Sequence, residues 1–141
     1  MAQSTTIKNA KALVCNANSQ DISGSISGVD LTLTIENSTF FTADGDYSLA
    51  LSGKRSGSGV INAFYSETSN EAEDVLSAAF HSGDTISVVI TPLGSTSGNK
   101  TWTFNALVTS LPMSLDAGAA DPIGIAAPFI TSGTVTEGTV A

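Results

Sequence analysis

Residues that carry chemistry are scarce in this chain. Its 141 residues include one cysteine, Cys15, and one histidine, His81. A lone cysteine rules out an internal disulfide. A zinc site draws on three or four Cys, His or carboxylate ligands, and Cys and His together supply two. A nucleophilic triad needs a base beside the nucleophile, normally histidine. His81 falls at the end of a helical stretch, where its place near the negative end of the helix dipole accounts for it. No catalytic residue, no cofactor and no metal ligand is therefore expected. Bases are scarce too: 5 Lys and Arg against 13 Asp and Glu, a formal net charge of −8. Nucleic acid is recruited by clustered cations, so a specific DNA- or RNA-binding surface is not expected. No apolar run approaches the roughly 20 residues of a membrane-spanning helix. The first residues lack a basic patch followed by an apolar core, so no signal peptide is expected and folding in a cytoplasm is. One Trp and two Tyr are few for a sugar-binding face.

What is abundant is Gly, Ser and Thr, in a chain only 13% charged. That suits a β-rich structural protein, and the length suits one domain, 1–141, with a mobile polar arm over 1–6. Val29–Glu36 is the cleanest strand: Val29, Leu31, Leu33 and Ile35 alternate with Asp30, Thr32, Thr34 and Glu36. Asn37–Gly45 reads as a turn-rich connection carrying Phe40 and Phe41, rings that either fold back as core plugs or contact a partner subunit. Asp46–Ser52 alternates again, and Gly59–Ser66 reads as its returning strand across a Gly-rich turn, Gly53–Gly59. Thr85–Pro92 and Lys100–Leu111 form a second hairpin anchored by Trp102 and Phe104. Ile7–Asn16 is a weak first strand, Ile123–Ala127 an edge segment and Phe129–Thr136 the last strand.

Thr68–Gly83 is the one convincing helix. Ala72, Val75, Leu76, Ala79 and Phe80 repeat at helical period. Thr68 with Glu71 fits a capping box; Glu71, Glu73 and Asp74 favour the positive end, and Gly83 supplies the stop. The expected fold is thus mainly β: a β-sandwich or barrel of antiparallel strands with one flanking α-helix, about Thr68–Ser82. Asp44-Gly45-Asp46 reads as a tight turn, since the remaining oxygens of a calcium loop are missing. The Lys54-Arg55 turn lacks the spacing and following helix of a phosphate loop.

The order of elements resembles the major tail tube proteins of long-tailed bacteriophages, particularly the non-contractile kind. Gly28-Val29-Asp30-Leu31-Thr32-Leu33, Asp44-Gly45-Asp46-Tyr47, Gly53-Lys54-Arg55-Ser56-Gly57, Val60–Tyr65, Ser82-Gly83-Asp84 and Pro128–Gly133 carry the resemblance. It implies a virion subunit, assembled in the host cytoplasm, whose hexameric rings stack into a tube through which DNA passes unbound. It implies tail terminator, tape measure and distal tail proteins as partners. An acidic lumen fits the net charge, because like charges repel. Candidate contacts between subunits or rings are Phe40, Phe41, Asp44, Lys54, Arg55, Glu71, Glu73 and Asp74. The alternative is a non-catalytic binding module or adhesin.

Overall fold

The computed structural model describes residues 11–67, 69–115, 117–118 and 122–141. Ile7, Thr68 and the proposed arm over 1–6 lie outside them. Among the described residues, eight strands and one α-helix, with a 3-10 turn at Ser23–Ser25, follow in order: β1 Val14–Ala17, β2 Gln20–Asp21, β3 Ile26–Phe40, β4 Leu49–Phe64, α1 Ala72–Ser82, β5 Ile86–Thr91, β6 Lys100–Val108, β7 Met113–Ser114 and β8 Gly124–Thr139. The fold is mainly β with a flanking helix, as expected. All pairings are antiparallel, in one path β2-β1-β5-β6-β8-β4-β3, with β7 added to β8. The path curls: Val29, Leu31 and Leu33 of β3 line one cleft with Ile90 and Trp102 of β5 and β6.

The tight link between β1 and β2 is Asn18-Ser19, both with positive φ (52° and 66°). That is the backbone of a two-residue hairpin turn, which Asn tolerates better than most residues.

The core is filled by the inward faces of β1, β4, β5, β6 and β8: Cys15 and Ala17, Ile61 and Ala63, Ile86, Val88 and Ile90, Phe104, Ala106 and Val108, Ile125, Ala127 and Phe129. The rings of Phe104 and Phe129 stack at 5.5 Å. Ala72, Val75, Leu76 and Ala79 of α1 close the core as the helical period predicts. Phe80 does not: it is 41% exposed and packs edge-on against His81. Its position lies beyond the narrow stripe that a short helix can bury against a curved sheet.

The helix also starts later than expected. Asn70 has φ of 65°, which breaks the helical run, and Glu71 is the cap residue without a side-chain cap bond. Capping comes from elsewhere in the chain. The buried Ser25 hydroxyl accepts the Ala72 N–H at 2.9 Å, and Asp74 Oδ2 accepts the Asn70 N–H at 3.0 Å. At the other end Gly83, with φ of 73°, donates its N–H to the Ala79 carbonyl.

Two further expectations are corrected. Asn37–Gly45 and Gly53–Gly59 are not both turns: β3 runs on to Phe40, and β4 passes through Gly53–Gly59 without interruption. The hairpin expected within Asp46–Ser66 is therefore a single strand, and the hairpin is β3–β4, with its loop at 41–48. Gly57 and Gly59 mark close approach and not a change of direction. A Cβ on Gly57 would stand 2.9 Å from Thr131 Cγ2, and one on Gly59 would stand 2.8 Å from Phe129 Cζ. Likewise Ile123–Ala127 is no edge: β8, which begins at Gly124, lies between β6 and β4. Pro128 is tolerated there because its missing N–H falls on the β6 side, just past Val108, the last residue of that strand. Its carbonyl accepts the Thr109 N–H at 3.0 Å.

Candidate assembly surface

The sheet splits along its length. β4 pairs with β8 from Ser58↔Ile130 to Phe64↔Gly124 and no further. Beyond that point β4 keeps only β3, and β8 keeps only β6. Two ribbons therefore diverge, and the branch point is pinned by one side chain. Thr131 Oγ1 accepts the Gly57 N–H at 3.0 Å and donates to the Gly57 carbonyl at 3.3 Å. The hydroxyl stands in for the next rung of the ladder.

The β3–β4 ribbon has two unlike faces, read from its register. Ile35 lies opposite Arg55 and Leu33 opposite Gly57; a bulge in β4 at Gly53-Lys54, across from Glu36, then shifts the pairing by one residue, so that Ser38 faces Leu51 and Phe40 faces Leu49. The face continuous with the core thus carries Leu33 and Ile35, whereas Phe40, Leu49 and Leu51 lie on the opposite face, beyond the bulge. All five are exposed; Leu51 is 60% so. Before the bulge that opposite face carries Thr32, Thr34, Ser56 and Ser58, with Thr34 and Ser56 hydroxyls 3.0 Å apart. At the tip, Phe41 and Tyr47 are 77% and 84% exposed, flanking Asp44 and Asp46. Large apolar side chains carried out of a core into solvent on both faces of a ribbon mark a surface that another chain covers.

Between the ribbons lies a cleft of about 770 Å³, lined by Leu33, Ile35, Lys54 and Arg55 on one side and Thr131, Gly133, Thr134 and Val135 on the other. β8 carries two more residues than β6 between Ser132 and Thr136, and Gly133 takes φ of 85° to place them. Lys54 and Arg55 are exposed. The ion pair found among the described residues is Lys100–Glu137, at 3.8 Å.

Of the residues singled out from sequence, Phe40, Phe41 and Asp44 come together at the ribbon tip, and Lys54 and Arg55 lie in the cleft. Glu71, Glu73 and Asp74 sit on the helix, beyond the far end of β4. Leu33, Ile35, Leu49, Leu51 and Tyr47 were missed as surface residues. Part of the signal was present: Leu49 and Leu51 alternate before Gly53, and Gly57, Gly59 and Ile61 alternate after it, with the phase shifted by the bulge between them.

No group of three or more His, Cys, Asp or Glu could hold a metal among the described residues. Burial, reinforced by Asp21, pushes the Cys15 thiol up to about 12. Asp21 is held below its ordinary value by hydrogen bonds from the Ser23 hydroxyl and backbone N–H. No helix among the described residues is long and apolar enough to cross a membrane.

No family model and no curated protein matches the sequence. Solved structures do match in fold. A chain from the sheath–tube complex of an extracellular contractile injection system, PVC, in its extended state superposes with a TM-score of 0.73 at 15% identity, covering 99% of this chain and 100% of that one. A chain from the tail of an empty gene transfer agent particle, refined with C6 symmetry, gives 0.71 at 11% identity, covering 92% and 98%. The SPP1 tail tube gives 0.68 at 10% identity, covering 91% and 76%. The architecture is thus one found in tail and injection-tube assemblies.

Proposed function

We propose that this chain is a structural subunit of a bacteriophage tail tube, of the non-contractile kind, and has no catalytic role. The observation that carries the reading is the set of uncovered apolar side chains on the β3–β4 ribbon, Leu33, Ile35, Phe40, Leu49 and Leu51, on a fold shared with tail and tube chains across nearly its whole length. A subunit that buries these side chains only against its own kind must assemble. Hexameric rings, stacked into a hollow tube, are the proposed form, in line with the C6 symmetry of the gene transfer agent tail. The polar patch of Thr32, Thr34, Ser56 and Ser58 suits a water-filled lumen. With a net charge of −8 the subunit repels DNA, so the viral genome passes through without being held. The proposed place is the virion tail, assembled in the host cytoplasm, with tail terminator, tape measure and distal tail proteins as neighbours. The terminating cap of the anti-feeding prophage tube has the same fold, with a TM-score of 0.76 at 14% identity, which fits a tube closed by a related chain.

Negative-stain electron microscopy of the purified protein tests this. Rings or tubes are the expected result. A protein that stays monomeric in sedimentation at high concentration, with no tubes on the grid, would refute the proposal.

A further inference from the structure

The cleft between the two ribbons and the loop at the ribbon tip are complementary. The cleft joins apolar Leu33, Ile35 and Val135 to the cations Lys54 and Arg55. The tip joins exposed Phe41 and Tyr47 to the anions Asp44 and Asp46. Apolar groups meet apolar groups and opposite charges face each other. In a chain with only five bases, two adjacent ones inside a cleft single out an acidic occupant. The tip cannot reach its own cleft. β3 and β4 stay paired from Ile35↔Arg55 to Phe40↔Leu49, which holds the tip about 20 Å away along the ribbon.

We infer that the Phe41–Tyr47 tip of one copy seats in the Leu33–Arg55–Val135 cleft of a second copy. The inference rests on the self-assembly proposed above and names the site that receives the ribbon. The contact is heterologous, because two different patches of one chain meet. Repeated, it closes into a ring or propagates as a stack. The aromatic rings supply the buried area, and the aspartates fix the register against Lys54 and Arg55. Gly45 sits between the two aspartates, its N–H donated to the Thr42 carbonyl at 3.2 Å.

Charge reversal tests it. Asp44→Lys with Asp46→Lys, and Lys54→Glu with Arg55→Glu, should each lower the assembled fraction by about tenfold or more in sedimentation. All four substitutions in one chain should restore assembly, because the pairing is inverted and not lost. As a second measurement, Asp46→Cys with Thr134→Cys should give covalent multimers on a non-reducing gel after oxidation. Cys15 is buried and does not compete. If the wild type assembles while the fourfold variant does no better than either pair, the tip-to-cleft contact is wrong and the tube reading stands. The contact is equally wrong if the cysteine variant assembles without cross-linking. A wild type that never assembles overturns both.

Discussion

Leu49 and Leu51 offer the sharpest separation of folding from assembly. Both lie on the outer half of the ribbon, on the face turned away from the core, 49% and 60% exposed in the single chain. Leu76 of α1 has no exposed surface. Full burial of a leucine is worth about 1.5–3 kcal/mol, so the half still in water represents about 1 kcal/mol per residue on contact with a partner. Replacing Leu49 and Leu51 together by alanine should then weaken each subunit contact by about 2 kcal/mol, about 30-fold in association constant. The cost to the isolated fold should stay near 1 kcal/mol, a few degrees in melting temperature. Leu76→Ala reverses the pattern. It opens a cavity beneath the helix at a cost of about 2–5 kcal/mol, and melting falls by about 10 °C or more. Circular dichroism melts of dilute protein report the fold; sedimentation velocity across a concentration series reports assembly. If the ribbon variant melts as low as Leu76→Ala, the two leucines belong to the core. If it assembles as well as the wild type, they are not at an interface. Either result would refute the reasoning.

Gly57→Val should cost about 1–3 kcal/mol, since its side chain meets Thr131 at 2.9 Å and Leu33 at 3.0 Å; chemical denaturation measures it. Ser25→Ala strands the Ala72 N–H at the start of the helix and should cost about 1–2 kcal/mol, with Ser25→Thr losing less where the methyl fits. Cys15 should resist thiol reagents at pH 8 and react only on unfolding, because only the thiolate attacks. Its raised value also sets a sign. Above the unfolded value near 9.0 the unfolded chain loses a proton that the folded chain keeps up to about 12, so stability falls as pH rises through that window, and melts at pH 8 and 10 should show it.

Much of this fold can be read from alternation alone. Val29 to Ile35 announces a strand because every second residue enters one core. Ile86, Val88 and Ile90 do the same, and the helix shows its buried stripe at Ala72, Val75, Leu76 and Ala79. What misleads is composition. Gly53–Gly59 has the residues of a turn, yet those glycines exist so that β3, β4 and β8 can approach one another, a fact held in residues 70 positions away. The helix cap is likewise remote: Ser25 stands 47 residues before the N–H it accepts. The candidate surface was half legible. Lys54, Arg55 and Phe41 stand out by type, whereas Leu33 and Ile35 look like core until the register shows that the ribbon leaves the core behind.

The branch point pinned by Thr131 has a mechanical consequence. Antiparallel ladder bonds lie across the strands. A pull along the strand axis therefore loads the seven β4–β8 residue pairs from Ser58 to Phe64 together, in shear. A pull that spreads the two ribbons loads them one at a time, beginning at the Thr131 hydroxyl. The chain is stiff lengthwise and yields sideways, and the single threonine decides where yielding begins.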